Sequence, residues 1–323
     1  MENAARERGE GANERLLSRI EELEDRLWLT ELELSSSVDS GVSTGHTDAY
    51  HGGAICDENR REIISASRDS NSCRDIFITQ LTDRTQGRTR KLANQVLFNA
   101  FYRFPVCDGN RFVYFSQYGD ENNRFGRFDL ESNTFDELAR IPGDHFASPF
   151  SGCFHHGSLY YLDCKDQLCR YDVERGAWSR CCITLPTFKS GSAVYGHLLS
   201  DPTDAEHLYY LAVKSLKCLY RIDLRTHSYT PVCPLPWDSW LYNTILIRRR
   251  PGSDGFVIIT SIDGGSWYMF SSKTNTWKPL PKWKTAHGYG GGGPILSFLV
   301  YLPQYKTFYY HVHGRSTWEM VQI

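Results

Sequence analysis

The sequence lacks the features that membrane, secreted and zinc-binding proteins need. It contains no run of about 18 apolar residues, so we expect no membrane-spanning helix and no membrane partner. Its first residues, MENAARERGEGANER, hold no apolar signal core, so we expect a cytoplasmic location, with nothing against a nuclear one. Ten cysteines are present without a CxxC pair, so we expect free thiols and no bound metal.

The chain also has little net charge and lacks common catalytic motifs. The net charge is −2, which gives no general attraction to nucleic acid. No Gly-x-Ser-x-Gly or His-Glu-x-x-His motif occurs, and the glycines at 290–293 lack the Lys-Ser or Lys-Thr of a phosphate-binding loop. We therefore expect a protein that is not an enzyme and has no cofactor.

Strand-forming residues, in contrast, are abundant. Hydrophobic residues make up 41% and aromatic residues 14% of the chain, which favours strands over helices. The pattern along the chain predicts three regions: an amphipathic or coiled-coil helix at 1–34, a disordered linker at 35–74 and an all-β domain at 75–323.

The helix is predicted over residues 13–34 because its apolar residues alternate in spacing between four and three. They are Leu16, Ile20, Leu23, Leu27 and Leu34, with Thr30 at the one polar position of the series. This spacing is a heptad pattern. It predicts either an amphipathic helix lying on the chain's own β domain, or a short coiled coil or docking helix, including a homo-oligomer through residues 13–34.

The segment 35–74 is rich in Ser, Asp, Gly and Asn and poor in large apolar residues, which predicts disorder. It contains Asp39-Ser40-Gly41-Val42-Ser43-Thr44. This motif resembles the phosphodegron that ubiquitin-ligase substrate receptors read, with Thr44 where Ser is commoner. The resemblance implies phosphorylation at Ser40 and Thr44.

A repeat runs through residues 128–281. Each copy ends an apolar stretch with Asp or Ser, places an aromatic residue six positions later, and continues to Leu-Pro or Ile-Pro. The first positions are Asp129, Asp172, Asp223 and Ser271, and the aromatic positions are Phe135, Trp178, Tyr229 and Trp277. The aromatic residues recur every 43 to 51 residues, which predicts one four-stranded β-propeller blade per repeat.

The C-terminal part predicts how the ring of blades closes. Residues 303–320 match residues 251–269, including a Trp-x-Met at the end of each, so the last blade has three strands. The apolar segment 75–81 is the candidate for its fourth strand, because an open sheet edge favours aggregation. We predict a five-bladed propeller closed by this N-terminal strand, with residues 84–95 leading into blade one. Six blades is the alternative, if residues 84–107 hold further strands.

The turns of the repeat resemble the kelch repeat. Residues 272–281, SKTNTWKPLP, match its pattern best, and residues 129–135 come next. The double glycine of kelch repeats occurs only once, at Gly264-Gly265. The resemblance implies a β-propeller that binds proteins, as a cytoskeletal scaffold or as a substrate receptor of a ubiquitin ligase.

The loops after the prolines of the repeat are the candidate binding site. They would connect neighbouring blades near the mouth of the channel, where aromatic side chains on a rigid rim can anchor a protein partner. The predicted partner-binding residues are His145, Phe146, Phe188, Trp237, Trp240, Trp283, His287 and Tyr289. The alternative is that these side chains pack between blades.

The sequence favours a protein-protein interaction module, acting as an adaptor, scaffold or structural subunit, with the helix for self-association or docking. One alternative is a propeller enzyme that acts on a sugar or small molecule in the channel, with Asp144, His145, Asp238 and His287 as candidates. The other is a substrate receptor of a ubiquitin ligase. No BTB or F-box domain is recognisable in the first 74 residues, which weakens that version.

Overall fold

The structure is a computed structural model of the chain. Among residues 13–30 it describes all except 14, 18, 21, 25 and 29, and these described residues are helical (α1). The remaining described residues are 37–43, 50–57, 62–68, 75–82, 87–91, 102–117, 124–142, 152–162, 167–185, 196–212, 216–237, 241–247, 255–262, 266–280, 296–302, 307–312 and 317–322.

The described strands form six four-stranded antiparallel sheets. The first strand, β1 (Ser37–Ser43), belongs to the last of these sheets. Sheet 1 contains β2 (Tyr50–Asp57), β3 (Glu62–Arg68), β4 (Asp75–Leu81) and β5 (Gly87–Lys91). Sheet 2 contains β6 (Tyr102–Cys107), β7 (Phe112–Gln117), β8 (Phe125–Asp129) and β9 (Thr134–Leu138). Sheet 3 contains β10 (Gly152–His155), β11 (Ser158–Leu162), β12 (Gln167–Asp172) and β13 (Ala177–Thr184).

The second half of the chain continues the same plan. Sheet 4 contains β14 (Gly196–Ser200), β15 (His207–Ala212), β16 (Cys218–Asp223) and β17 (Ser228–Pro234). Sheet 5 contains β18 (Leu241–Ile247), β19 (Val257–Ile262), β20 (Trp267–Ser271) and β21 (Thr276–Pro279). Sheet 6 contains β22 (Leu296–Leu302), β23 (Thr307–Val312) and β24 (Thr317–Gln322), and β1 pairs with β24 as its fourth strand.

The sheets are arranged as a β-propeller. In sheets 1 to 5 the strands lie side by side in chain order, and the first strand of each sheet packs against the first strand of the next. The series runs β2, β6, β10, β14, β18, β22, and β22 packs in turn against β2. These six strands therefore surround a central axis, and the later strands of each sheet lie progressively farther out.

The hydrophobic core lies between neighbouring sheets. Separate clusters of buried side chains join sheets 1 and 2, 2 and 3, 3 and 4, 4 and 5, and 5 and 6. The Leu or Ile before each repeat proline contributes to this packing, as do Phe135, Trp178 and Trp277 of the repeat, whereas Tyr229 is exposed. Ile141, Leu185, Leu235 and Leu280 are all buried. The apolar positions of the repeat are therefore explained by the packing of each sheet against its neighbour.

The repeat turns share one backbone conformation. The carboxylates of Asp129, Asp172 and Asp223 accept hydrogen bonds from backbone N–H groups two or three residues later. The residue four positions after each Asp or Ser has a left-handed φ, and the aromatic residue two positions further pairs across the strands with the residue before the Asp or Ser. The left-handed residues are Asn133, Gly176, His227 and Asn275. Asn and Gly tolerate this conformation best, which explains the short polar turn in the sequence.

Replacing His227 with glycine should therefore stabilise the protein. His227 has a φ of 55°, which costs a residue with a Cβ about 1 kcal/mol relative to glycine. We expect His227→Gly to raise the free energy of unfolding by about 0.5–1 kcal/mol in a urea titration. The control is Arg225→Gly in the same turn, where φ is not positive and glycine should destabilise. Equal effects of the two substitutions would contradict this description of the turn.

Asp129 makes the shortest arginine contact that the structure describes for the Asp residues of the repeat turns, whereas guanidinium nitrogens of Arg170 and Arg175 lie 3.8 and 3.9 Å from Asp172 Oδ2. The Nε of Arg111 donates a hydrogen bond to Asp129 Oδ1 at 2.9 Å, and a second guanidinium nitrogen contacts Oδ2. The Asp129 side chain is only 8% exposed. The hydrogen bonds from Arg111 hold the pKa of this carboxyl well below its usual range, so Asp129 is charged in the folded state.

The prediction for the closing strand was wrong. Residues 75–81 form β4, which pairs with β3 and β5 inside sheet 1 rather than with the C-terminal strands. The three C-terminal strands are β22, β23 and β24, and the strand beside them is β1. Ser37 lies opposite Val321 and Ser43 lies opposite Thr317, with an irregular register between Val38 and Val42.

The predicted disordered linker and the count of five blades also need correction. Within 35–74 the structure describes β1, β2, β3 and the beginning of β4, and the described strands form six sheets where five blades were predicted. These strands are extended because the neighbouring strands satisfy their backbone hydrogen bonds, and sheet 1 is anchored by a few buried side chains, Ile63, Ile64 and Ile78. In the described parts of 35–74, the low apolar content therefore did not prevent strands from forming.

Candidate functional site

Seven of the eight predicted rim residues lie outside the described residues. They are His145, Phe146, Phe188, Trp240, Trp283, His287 and Tyr289. The eighth, Trp237, is only 7% exposed, and its ring lies 4.5 Å from that of Tyr268 and 4.9 Å from that of Trp277. Trp237 therefore packs between sheets 4 and 5, and the prediction that it binds a partner is corrected: its side chain is not available on the surface.

The two predicted phosphorylation sites fall in and beside β1. Ser40 lies between Val38 and Val42, where the pairing of β1 with β24 is irregular. Thr44 lies outside the described residues. Ser40 is thus part of a strand paired with the C-terminus, and its phosphorylation stays a prediction.

The most exposed apolar surface of the described structure is on α1. Leu16, Ile20, Leu23 and Leu27, which we call the apolar face, are between 49% and 62% exposed. Leu17 at its edge is equally exposed at 62%. The hydroxyl of Thr30 donates to the carbonyl oxygen of Arg26, four residues earlier, as the helical backbone places them. Four positions of the predicted heptad series therefore lie together on one side of a helix and point into solvent.

Trp28 attaches α1 to the propeller. It is 8% exposed and belongs to the buried cluster between sheets 5 and 6. The other members of this cluster are Ile247, Val257, Ile259, Trp267, Met269, Leu280, Tyr301 and Phe308. Because successive residues of a helix are about 100° apart around its axis, Trp28 projects away from Leu16, Leu23 and the rest of the apolar face.

The sequence pattern predicts the apolar face of α1 but not the attachment of α1 to the propeller through Trp28. The heptad series explains Leu27 and leaves Trp28 unassigned, although a Trp at an otherwise polar helix position is itself a signal of a second contact. The two interpretations that the sequence left open, a helix on the propeller and a helix free to bind, describe two different sides of α1.

Charged side chains flank the apolar face. Arg19 and Arg26 are exposed, Glu22 is exposed, and Glu24 is half-buried. Arg19 and Glu22 form an ion pair in which both side chains are more than half exposed, so this pair contributes little to stability. Its members can exchange partners at low cost when another surface approaches.

A polar contact joins sheets 3 and 4 near the axis. His155 is 2% exposed, with Nδ1 at 2.9 Å from Ser200 Oγ and Nε2 at 3.3 Å from the carbonyl oxygen of Ala205. A ring with its proton on Nε2 donates to Ala205 and accepts from Ser200, which satisfies both nitrogens. Burial lowers the pKa of His155, so the neutral ring persists, and its contacts are those of a structural link between sheets.

A second buried histidine, His197 on β14, should make the protein sensitive to acid. Burial lowers the pKa of His197 from 6.5 to about 3. Below pH 6.5 the unfolded chain therefore binds a proton that the folded chain does not, and stability falls as the pH approaches 3. We expect His197→Gln to remove about 2 kcal/mol of the stability lost between about pH 6.5 and 5, measured by urea unfolding at each pH. The exposed His156 supplies the control, and an identical pH dependence of His197→Gln and His156→Gln would contradict this.

Six cysteines whose side chains the structure describes form no disulfide bond. They are Cys107, Cys153, Cys169, Cys181, Cys218 and Cys233. Among the residues that the structure describes, no three His, Cys, Asp or Glu side chains converge in a group that could hold a metal ion. Within the same part of the chain we find no helix with the length and hydrophobicity that a bilayer crossing requires.

Comparison with known proteins agrees with the fold. No family model and no curated protein sequence matches this chain. A similar solved structure is an auxiliary nutrient binding protein from Bacteroides thetaiotaomicron, with a TM-score of 0.64 and 12% sequence identity over 89% of this chain and 75% of that chain. At this identity the likeness shows the fold alone. The chain is a β-propeller protein.

Proposed function

We propose that this protein is an interaction module, acting as an adaptor, scaffold or structural subunit, in which a six-bladed propeller closed by β1 holds α1 for a protein partner. The observation that carries the proposal is where exposed apolar side chains lie. Six large apolar side chains of the described residues are exposed, and five of them are on α1. An exposed apolar surface of this kind, bordered by charged residues, marks an interaction site.

The attachment of α1 supports the same function. A free peptide of this length is at best marginally helical in water, so a partner would have to order it on binding. In this protein Trp28 fixes α1 to sheets 5 and 6 before any partner arrives. The ordering entropy is then already lost in the unbound protein, which strengthens binding.

The loops of the propeller rim are the second part of the proposal. His145, Phe146, Phe188, Trp240, Trp283, His287 and Tyr289 are proposed as partner contacts, and Trp237 is not, because it is buried. The resemblance of the repeat turns to kelch repeats supports protein binding as the role of this rim. A cytoplasmic location fits such a module.

Affinity purification with quantitative mass spectrometry tests the proposal. The full chain is compared with Leu16→Glu/Leu23→Glu on the apolar face, with Trp240→Ala/Trp283→Ala on the rim, and with Arg15→Glu as a control at an exposed polar position of α1. We expect co-purified proteins, additional copies of the chain included, to be lost with one or both double variants and retained with Arg15→Glu. Recovery of the same proteins in the same amounts from every sample would overturn the proposal, provided that thermal unfolding shows all variants folded.

A further inference from the structure

The residues of α1 specify more than a generic apolar surface. In heptad positions a to g, Asn13, Ile20 and Leu27 occupy position a, and Leu16, Leu23 and Thr30 occupy position d. Ile at a with Leu at d favours two-stranded parallel coiled coils, and an Asn at a single a position fixes register and the number of strands. Asn13 is exposed in the structure, as are the Leu and Ile residues of the series.

The charges beside the apolar face select the orientation of a second helix. Arg19 and Arg26 occupy position g, and Glu24 occupies position e. In a parallel pair, each g residue faces the e residue five positions later on the other helix, so Arg19 meets Glu24 of the second copy. In an antiparallel pair, g faces g and e faces e, which would place Arg against Arg and Glu against Glu.

The geometry points to a second copy of this chain as the occupant of the apolar face. We propose that two α1 helices pair in parallel and in register, with Ile20 and Leu23 at the centre of the contact. This inference rests on the proposed function, because it names the partner of the same face. Self-complementary charge is the observation that favours a second copy over an unrelated helix, since one sequence supplies both the g and the e residues.

The attachment by Trp28 is compatible with this dimer. Trp28 occupies position b, on the side of α1 away from positions a and d, and it faces sheets 5 and 6. A two-fold axis parallel to α1 then leaves one propeller on each outer side of the helix pair. The two copies contact each other through the same face, as a closed two-fold dimer requires.

Light scattering coupled to size exclusion, over a range of concentrations, measures the mass. We expect the purified full chain to show twice the 37.1 kDa mass of one chain, and Leu16→Glu/Leu23→Glu to show the mass of one chain. Arg15→Glu should stay dimeric. A single-chain mass for the full chain at every concentration would overturn the second-copy proposal.

Charge reversal then tests the orientation. Arg19→Glu should raise the dissociation constant of a parallel dimer about fivefold to tenfold, because two attractive pairs become repulsive. In an antiparallel dimer the same substitution would relieve repulsion and lower the constant. Mixing the Arg19→Glu chain with the Glu24→Arg chain should restore dimers that neither forms well alone, since each g residue then meets an opposite charge. Failure of the mixture to dimerise, with both chains folded by circular dichroism, would contradict the parallel arrangement.

The two proposals fail in different ways. If the purified chain is a monomer while Leu16→Glu/Leu23→Glu still loses proteins in the affinity purification, the apolar face binds another protein and the second copy is wrong. If that variant loses nothing and the chain is also a monomer, the apolar face is not a binding site.

Discussion

Replacing Trp28 with alanine should detach α1 from the propeller and lower the free energy of unfolding by about 3 kcal/mol, as large-to-small substitutions of buried aromatic residues do. Trp28 fills part of the cluster between sheets 5 and 6, so its loss leaves Trp267, Tyr301 and Phe308 partly uncovered. For a domain of this size we expect the melting temperature to fall by about 6–12 °C. The released segment is too short to stay helical alone, so the far-UV circular dichroism should lose its helical component.

Two further variants serve as controls: a milder substitution of Trp28 and a substitution of the adjacent residue, Leu27. Trp28→Phe keeps an aromatic ring in the cluster and should cost less than half as much as Trp28→Ala. Leu27→Ala likewise truncates a large apolar side chain at the adjacent position, but Leu27 is 60% exposed, so the free energy of unfolding should change by no more than about 0.5 kcal/mol. Equal effects of Trp28→Ala and Leu27→Ala would show that α1 is not attached through Trp28.

Removal of β1 should have the second large effect. A chain lacking residues 1–44 exposes the edge of β24 and leaves sheet 6 with three strands. At about 1 kcal/mol for each backbone hydrogen bond lost, we expect a decrease of about 3 kcal/mol or more in the free energy of unfolding. The open edge should also promote aggregation, which is measured by light scattering during heating.

The appropriate comparison is a chain lacking residues 1–30, which has also lost Trp28 but keeps β1. The difference between the two truncated chains then reports β1 alone. In the full chain, Val42→Pro removes a backbone donor from β1 and should destabilise, whereas Val42→Thr should not. Equal stability of the two truncated chains would contradict the role of β1 in closing sheet 6.

The repeat turns made the outer strands of sheets 2 to 5 predictable. An Asp or Ser that ends one strand, a residue that tolerates a left-handed φ, and an aromatic residue that pairs across the hairpin are all set by local backbone geometry. Such local constraints leave a strong pattern in the sequence. The three C-terminal strands were found in the same way, by their match to residues 251–269.

Sheet 1 and β1 left no such pattern. The sequence from the end of β4 through β5 lacks the aromatic residue of the repeat, and β5 carries Arg88 and Arg90 among its five residues. The strand β1 contains serines and a glycine, and it is held by its pairing with β24, which lies almost 300 positions later in the chain. Pairing between distant segments cannot be read from local composition, so residues 37–68 resembled a linker.

The candidate site was likewise predictable only where it depends on local sequence patterns. The heptad spacing of α1 is a local pattern and identified the apolar face, whereas the burial of Trp28 and Trp237 depends on which sheets meet them. An aromatic residue after a repeat proline can point to solvent or into the gap between two sheets. For Trp237 the rings of Tyr268 and Trp277 decide this, and both belong to the next sheet.

Photo-crosslinking from the apolar face tests whether α1 binds protein. A photoreactive amino acid replaces Leu23 in the full chain, and in a second sample it replaces Arg15, which is also exposed but lies off the apolar face. On irradiation in cells, we expect a covalent adduct from position 23, either with a second copy or with another protein, and little from position 15. Adducts no stronger from position 23 than from position 15 would contradict this expectation.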